Sequence, residues 1–226
     1  MPDKILKDLR HRCGPIRDQG SRPTCLAFAA SDTHAALRTP WVPLSCEFAF
    51  YHALRRAGSP PTRGATLSHI LETLQHDGQP VETGWPYLTV LPADLSTWQP
   101  PSSVGELYRR KSLTPPNLVD EVIRVLDDDK LALIAMTLSN AFYRPTADGL
   151  IEGRGEAPDP ARRHALVAVG HGIASKERCV LIRNSWGVTW ANGGYGWLVE
   201  SYLTSRLISL AILTEEINVS TGTLAA

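Results

Sequence analysis

The chain has 226 residues, which is enough for one large domain or two small lobes with a substantial core. Lys and Arg together number 23, as do Asp and Glu, so the formal net charge is zero. This balance argues against capture of nucleic acid or of an anionic membrane by charge as the main activity. No apolar run approaches the roughly 18 residues that span a bilayer, so we expect neither a nucleic-acid partner nor a membrane partner.

The N-terminal sequence MPDKILKDLRHRCG lacks the apolar segment of a secretory signal. The chain has four cysteines, which are too few for a disulfide framework. Together these features predict a cytoplasmic location, and they leave open delivery of the chain as an exported effector. No CxxC or HExxH spacing occurs, and no glycine-rich loop leads into a helix, so we predict neither a metal nor another cofactor.

Helical patterns dominate the first half of the chain, after a polar and irregular segment at 1–18. Four helices are predicted, at 25–38, 45–57, 66–77 and 117–129. Thr24 and Ser45 are suited to cap the first two helices, and Gly78 is suited to end the third. The segment 79–111 contains five prolines and no sustained periodicity. It is therefore predicted to be a long connection, anchored by the packed sequence GWPY at 84–87.

Short apolar runs rich in β-forming residues dominate the second half. Strands are predicted at 131–138, 164–169, 179–183 and 195–200, and the run at 207–213 is predicted to be a final strand or a buried tail. Clusters of Gly, Pro, Asn and Asp separate these runs, as is typical of strands joined by turns. Because helices lead and strands follow, the pattern indicates an α+β protein of two lobes.

The sequence QGSRPTCLAFAA, at 19–30, places Cys25 at the start of the first predicted helix. A thiol becomes a useful nucleophile when its thiolate is stabilised, and a helix N-terminus or a nearby imidazolium lowers its pKa from about 8.5 to roughly 3.5–7.5. We therefore predict that Cys25 is a nucleophile. The other three cysteines are most simply interpreted as small buried hydrophobic residues.

Of the seven histidines, His164 has the position best suited to a site residue. It opens an apolar strand directly after the polar, turn-rich segment DGLIEGRGEAPDPARR. The competing interpretation is an ordinary structural histidine, which is the better interpretation of such a residue taken alone.

Two further residues supply the remaining groups of a thiol hydrolase. Asn184, which lies just before Trp186, can accept a hydrogen bond from an imidazole N–H, and an adjacent indole can shield that bond from water. The side-chain amide of Gln19 and the backbone N–H of Cys25 can both donate to a developing oxyanion. An asparagine in a turn is usually only a turn residue, but the joint order Gln, Cys, His, Asn favours a catalytic set.

The sequence around these four positions resembles the papain-like cysteine peptidases. QGSRPTCLAFA is similar to that family's segment QGxCGSCWAFA, HALVAVGHG to its HAV-VGYG strand, and RNSWGVTWANGGYGWL to its NSWGxxWGxxGY block. His164 follows Cys25 by 139 residues and Asn184 follows His164 by 20, and both spacings are typical of the family. Weaker similarities, in LSCEFAFYHA, GATLSHILETLQHDG and GWPY, extend the resemblance to most of the chain.

The resemblance implies an α+β, papain-like two-lobe fold, in which the active-site cleft lies between a helical lobe and a β-barrel-like lobe. We therefore expect a single catalytic unit over 1–226. Its parts are expected to be a helical lobe at about 12–112, a β-rich lobe at about 113–206 and a C-terminal tail at 207–226.

The resemblance also implies roles for the four predicted site residues. Cys25 is the nucleophile, and His164 is the general base and acid. Asn184 orients His164, and Gln19 donates to the oxyanion.

Five more residues are implied to surround the substrate. Trp186 covers the contact between the orienting asparagine and the histidine, and Trp190 helps to wall the leaving-group side. Gly64 pairs its backbone with the substrate. Ala165 and Leu67 line the pocket for the second residue on the acyl side.

The sequence departs from the family pattern at three points. The family's cysteine three residues before the nucleophile is Arg22 here, so the usual disulfide cannot form, and in this respect the chain is similar to intracellular bacterial members. The family's tryptophan after the nucleophile is Leu26. No long inhibitory pro-segment precedes the match, so we expect control by prior removal of such a segment, by a regulatory domain or inhibitor partner, or by timed delivery. Arg163, directly before His164, favours an acidic substrate side chain if it reaches the pocket.

The leading prediction is a cysteine endopeptidase that hydrolyses peptide bonds through an acyl-enzyme, with a peptide or protein as its substrate. The alternatives are a transpeptidase, a deamidase or another thiol acyltransferase, all of which use the same thioester. A further alternative is a non-catalytic peptide-binding module. The presence of the Cys, His and Asn together favours an enzyme over such a module.

Overall fold

In the computed structural model, which describes residues 1–153 and 155–217, the four predicted helices are confirmed to within three residues at each end. They are α1 (Cys25–Ala35), α2 (Cys46–Ala57), α3 (Leu67–His76) and α4 (Val119–Asp127). Ser45 caps α2 as expected, since its hydroxyl accepts a hydrogen bond from the backbone N–H of Phe48 at 3.0 Å. None of the helices in the described residues is long and apolar enough to cross a membrane.

The β-rich lobe is built on one eight-stranded sheet. The four predicted strands are confirmed within it, and the run at 207–213, expected to be a strand or a buried tail, is a strand. The strands are β1 (Lys4–Asp8), β2 (Arg110–Leu113), β3 (Ala132–Leu138), β4 (Leu150–Ile151), β5 (Asp159–Ala174), β6 (Glu177–Arg183), β7 (Tyr195–Val199) and β8 (Leu207–Glu216). Their order is β2-β8-β3-β5-β6-β7-β4, with β1 paired to β5, and only β4 and β7 pair in parallel. Two short helices, α5 (Asn140–Tyr143) and α6 (Glu200–Thr204), lie between strands.

The structure corrects the predicted boundaries at both ends of the chain. The expected tail at 207–226 is, over Leu207–Glu216, strand β8, which pairs with β2 and β3 inside the sheet. Residues 218–226 of that tail lie outside the described residues. The N-terminal segment was expected to be irregular, but Lys4–Asp8 pairs with β5 and extends the β-rich lobe. The lobe therefore takes strands from the N-terminal part of the chain as well as from its second half.

The predicted connection at 79–111 has little regular structure, with two single 3-10 turns at Glu82–Gly84 and Leu95–Thr97 before β2 begins. The expected anchor at 84–87 is confirmed. Trp85 is buried and packs against the rings of Phe48 and Tyr51. Burial of this large aromatic side chain fixes the course of a segment that lacks a hydrogen-bonded ladder.

Helix α1 is the central helix of the molecule, and every residue from Leu26 to Ala35 is buried. It packs against α2 and α3 on one side and against β3 and β5 on the other. A helix that is enclosed on all sides needs small side chains where its neighbours approach closely, and the alanines of CLAFAASDTHA meet that need. This packing holds the start of α1, at Cys25, between the two lobes.

A buried charge network joins α1 to the β-rich lobe. The Nε of Arg183 donates to Oδ2 of Asp32 at 2.7 Å, and the Nε of Arg17 donates to Oδ1 of the same carboxylate at 3.0 Å. Such buried pairs add little net stability but have strict geometry. Because Arg183 directly precedes Asn184, the network fixes Asn184 relative to the helix that begins at Cys25.

His34, in the last turn of α1, is fully buried beside Gln79. The Nε2 of Gln79 donates to the Ser31 hydroxyl at 2.6 Å and to the Ser45 carbonyl at 3.0 Å, so its Oε1 faces the ring. His34 Nδ1 lies 3.0 Å from that oxygen and must carry the proton that it donates. Burial lowers the pKa of His34 to about 3.

We expect His34 to make the free energy of unfolding depend on pH. Between about pH 6.5 and 3, the unfolded chain takes up a proton at this residue that the native state does not, so stability falls as the pH falls. The contribution of His34 should decrease by about 2 kcal/mol from pH 7 to pH 5. Urea unfolding of wild type and His34→Gln at both pH values measures this difference. Equal pH dependence in the two proteins would contradict it, and His76→Gln, on the exposed end of α3, is the matched control.

Candidate active site

A cavity of about 650 Å³ lies between the lobes and contains eight of the ten predicted site residues in its lining. From the helical lobe come Gln19, Cys25, Gly64 and Leu67, and from the β-rich lobe come Arg163, His164, Ala165 and Trp186. Asn184 and Trp190 are buried behind this lining. The sheet and the central helix thus bring together residues that are up to 167 positions apart in the chain.

Cys25 is the first residue of α1 and is half-buried in the cavity wall. Burial raises the pKa of the Cys25 thiol, whereas the backbone N–H groups of Ala165, Leu26 and Cys25 itself lower it. The lowering expected from the helix N-terminus is therefore outweighed by desolvation. Thr24 occupies the predicted N-cap position, but its hydroxyl makes no capping hydrogen bond and lies 3.0 Å from the hydroxyl of Tyr87.

His164 and Asn184 form a short, enclosed hydrogen bond. His164 Nε2 lies 2.7 Å from Oδ1 of Asn184, and that oxygen also accepts from the backbone N–H of Ser185 at 2.8 Å. Two donors on one oxygen fix the orientation of the amide, so Nε2 carries the proton. Burial lowers the pKa of His164 to about 4, which keeps the ring neutral near pH 7. The hydrogen bonds of the described residues leave its Nδ1 without a partner, ready to accept a proton.

Aromatic rings enclose this hydrogen bond. The ring of Trp186 lies 4.6 Å from the ring of His164, centroid to centroid, and Phe142 lies edge-on to both. Tyr143 stacks on the outer side of Trp186 at 5.5 Å. Trp190 packs against Phe142 and is only 9% exposed, so it supports this cluster from below and does not line the cavity. Excluding water from the bond strengthens it and restricts the ring of His164.

Gln19 is held by hydrogen bonds on both atoms of its side-chain amide. Its Oε1 accepts from the Ser185 hydroxyl at 2.7 Å, and its Nε2 donates to the carbonyl of Arg22 at 2.9 Å. Because an amide nitrogen has two hydrogens, one remains for a ligand in the cavity. The backbone N–H of Cys25 has no backbone acceptor within the described residues, since it belongs to the unpaired first turn of α1.

These groups are suited to acyl transfer to sulfur. A thiol, a neutral imidazole with a free nitrogen and two N–H donors meet in one cleft, which is the set that attack on a carbonyl requires. In residues 1–153 and 155–217, no three His, Cys, Asp or Glu side chains are grouped closely enough to hold a metal ion.

Comparison with known proteins shows which proteins the chain is similar to. The family model described as papain family cysteine protease matches residues 116–210, a segment that contains both His164 and Asn184. A cysteine protease of Blomia tropicalis is 27% identical over 199 residues, and caricain of Carica papaya is 26% identical over 196 residues. The chain is similar to the papain-like cysteine peptidases. It spans 58% of the length of the Blomia protein and 53% of that of caricain.

Solved structures of papain-like proteins share the two-lobe α+β fold. One solved structure, described as the basis for limited antibody cross-reactivity between the mite allergens Blo t 1 and Der p 1, has a TM-score of 0.74 and 24% identity. The match covers 95% of this chain and 71% of that chain. Xylellain of Xylella fastidiosa has a TM-score of 0.72 at 22% identity, and the match covers 94% of this chain and 86% of xylellain. The cysteine protease CMS1MS2 of Carica candamarcensis, solved in complex with E-64, has a TM-score of 0.72 and 22% identity. The match covers 95% of this chain and 99% of that protein. The expected fold class is thus confirmed. The expected bacterial character and cytoplasmic location stay predictions.

Where papain-like sequences have a cysteine before the nucleophile, this chain has a buried ion pair. Arg22 is 6% exposed and makes two hydrogen bonds, at 2.7 and 2.9 Å, to the fully buried carboxylate of Glu47. Trp98 Nε1 and the backbone N–H of Leu88 also donate to Glu47, at 2.6 and 3.0 Å. Because the Arg22 carbonyl accepts from Gln19, this pair anchors the loop that carries the predicted oxyanion donor.

The residues expected to contact substrate lie on opposite walls of the cavity. Gly64 and Leu67 are on the α3 side, where Leu67 begins the helix and is half-buried. Ala165 is buried on β5, and Arg163 is exposed two residues before it. Ala135 and Ser209, which were not predicted, complete the wall beside Ala165.

Sequence reasoning also missed several residues that support the site. Ser185, which bonds both Gln19 and Asn184, stands inside the family-like block NSWG, and that position is the signal that could have identified it. Phe142 and Tyr143 lie in the four-residue helix α5, which is too short to show a periodic pattern. Their role depends on a turn that places them over Trp186.

Proposed function

We propose that the chain is a cysteine endopeptidase, which hydrolyses peptide bonds through an acyl-enzyme on Cys25. The observation that carries the proposal is the 2.7 Å hydrogen bond between His164 Nε2 and Asn184 Oδ1, enclosed by Trp186, in the same cleft as the thiol. A buried, neutral imidazole held by its Nε2 can exchange a proton with a substrate or a thiol only through Nδ1.

The first half of the reaction acylates the enzyme. His164 Nδ1 accepts the proton of Cys25 as the sulfur attacks the peptide carbonyl carbon, and the carbonyl oxygen becomes an oxyanion. The backbone N–H of Cys25 and the remaining N–H of Gln19 donate to that oxygen. When the C–N bond breaks, the imidazolium of His164 gives its proton to the leaving amine, and a thioester on Cys25 remains.

The second half releases the acid. The now neutral His164 accepts a proton from water, whose oxygen attacks the thioester carbon, and the same two N–H groups hold the second oxyanion. The C–S bond breaks, the sulfur regains the proton from His164, and the carboxylic product leaves. Asn184 keeps the ring in one orientation through both halves, so no reorientation is needed between them.

The proposed substrate is a peptide or protein, which fits an open cleft lined by both lobes. The partner class that we propose is an inhibitor or regulatory segment that covers this cleft. Transpeptidation, deamidation and other acyl transfers would use the same thioester with a different acceptor, and they are separated by their products.

Labelling with an epoxide probe tests the proposal. Peptide mass spectrometry of the treated protein is expected to find the probe on Cys25 and on none of the other three cysteines. In the same samples, products from a peptide library should each gain one water at a cleaved bond. A labelled Cys25 with intact peptide backbones would favour deamidation, and new peptide bonds would favour transpeptidation. The absence of both labelling and product would leave a non-catalytic peptide-binding module.

A further inference from the structure

One wall of the cleft is set by the pairing of three strands. Ala165 on β5 pairs with Ala135 on β3, and Ala135 pairs with Ser209 on β8. All three residues line the cavity, and their side chains are small. They leave room in the cavity for a substrate side chain, and the family resemblance places the acyl side of the cleaved bond at Ala165.

Arg163 stands on the same face of the sheet as this wall. It pairs with Thr137 in the regular register that also pairs His164 with Met136 and Ala165 with Ala135. Because successive side chains of a strand alternate between faces, Arg163 and Ala165 leave β5 on one side and His164 on the other. Arg163 lines the cavity, as Ala165 does.

The guanidinium of Arg163 is an uncompensated charge in this cleft. Its Nε donates to the carbonyl of Pro160 at 3.2 Å, and no carboxylate pairs with it among the described residues. The neighbouring Arg162, in contrast, pairs with Asp159 and donates to Asn140. The anchored Nε leaves both terminal nitrogens free to face a ligand.

The rest of the cavity lining adds no negative charge. Among the described residues, the lining contains no Asp or Glu, and its only other arginine, Arg22, is already paired with the buried Glu47. A peptide in this cleft therefore meets one unpaired positive charge close to the cleaved bond. A planar guanidinium binds a carboxylate with two parallel hydrogen bonds, and such charge-assisted bonds are stronger than neutral ones.

We infer that Arg163 selects an acidic side chain, Asp or Glu, at the second substrate residue on the acyl side. This inference rests on the proposed peptidase function and names the substrate class of that same site. The carboxylate would enter the space above Ala165 and Ser209 and meet the terminal nitrogens of Arg163. Since Arg163 is exposed, solvent weakens the pair, and we expect a preference of about tenfold in kcat/KM for Glu over Gln.

Matched peptide substrates test the inference. Three peptides that differ only in Glu, Gln or Lys at that position are assayed with wild type, Arg163→Gln, Arg163→Glu and Arg162→Gln. The Glu-to-Gln ratio of kcat/KM should be about ten in wild type and close to one in Arg163→Gln. In Arg163→Glu, a Lys peptide should replace the Glu peptide as the better substrate. Arg162→Gln, the matched control, should keep the wild-type ratio.

The possible failures of this inference and of the proposed function differ. If wild type cleaves the Glu and Gln peptides equally, the inference is wrong and the peptidase remains. A preference for Glu that survives in Arg163→Gln also overturns it, as does a preference found only on the leaving-group side. If wild type cleaves none of the peptides and the epoxide probe leaves Cys25 unlabelled, the proposed function itself fails. The peptides are measured on the same preparation of each variant, so a loss of folded protein lowers every rate and leaves their ratio unchanged.

Discussion

Replacing Cys25 by Ala is expected to lower kcat by about 10⁶-fold, because removal of one member of a concerted catalytic set costs about as much as removal of all of them. The loss should appear in kcat and not in KM, since the deleted sulfur forms a bond only after the peptide is bound. Stability should change little, because Cys25 is half-buried at the first position of α1 and its side chain makes no hydrogen bond to another side chain in the described residues. Steady-state kinetics with a fluorogenic peptide and urea unfolding of both proteins measure the two effects.

Cys13 provides the matched control for this experiment. It is also a half-buried free cysteine, it lies outside the cavity, and burial raises the pKa of its thiol to about 11. Cys13→Ala should therefore retain the wild-type kcat. Cleavage by Cys25→Ala at a rate within tenfold of wild type would show that another residue is the nucleophile. A similar loss in Cys13→Ala would point to a general sensitivity of the fold.

The sequence predicted those features that depend on local patterns. Ser45 and Thr66 directly precede helices α2 and α3, and their side chains cap them. The apolar residues of both helices recur at helical spacing, so the limits of these helices follow from neighbouring residues alone. The residues proposed as the catalytic set stand within short family-like blocks, whose order and spacing identify them without knowledge of the fold. Three of these residues, Gln19, Cys25 and His164, line one cavity, and Asn184 is buried behind it.

Features that depend on distant contacts were missed. Strand β1 is largely exposed, with no apolar alternation, and forms only because the edge of β5 is available to pair with it. The direction of the Cys25 pKa also differs from the expectation, because burial of the thiol raises the pKa more than the neighbouring backbone N–H groups lower it. Trp190 was expected on the cleft wall, and its burial follows from contacts with Phe142 and Gly196 that no local pattern reveals.

The pairing of Arg22 with Glu47 is a fourth feature of this kind, and its loss should have the largest effect on stability. Replacing Glu47 by Ala leaves the Arg22 guanidinium buried without a counter-charge and removes the acceptor for Trp98 and Leu88. Breaking a buried pair in this way costs about 3–5 kcal/mol of the free energy of unfolding. Urea unfolding measures it, and Glu215→Ala, which breaks an exposed pair with Lys111, should change stability by less than about 1 kcal/mol.

A double variant separates the cost of an orphaned charge from the value of the pair. Arg22→Met with Glu47→Leu removes both charges and keeps apolar volume, so it should be more stable than Glu47→Ala. It should remain less stable than wild type, because Trp98 and Leu88 still lose their acceptor. A double variant as unstable as Glu47→Ala would show that the orphaned charge of Arg22 is not the main cost of losing Glu47. Arg22 also lies over the rings of Phe50 and Tyr87, and Tyr87 donates to the carbonyl of Gln19 at 2.7 Å. If the pair's main role is to hold that loop, the double variant should recover stability but keep a lowered kcat, because the Gln19 amide would no longer be fixed for the oxyanion.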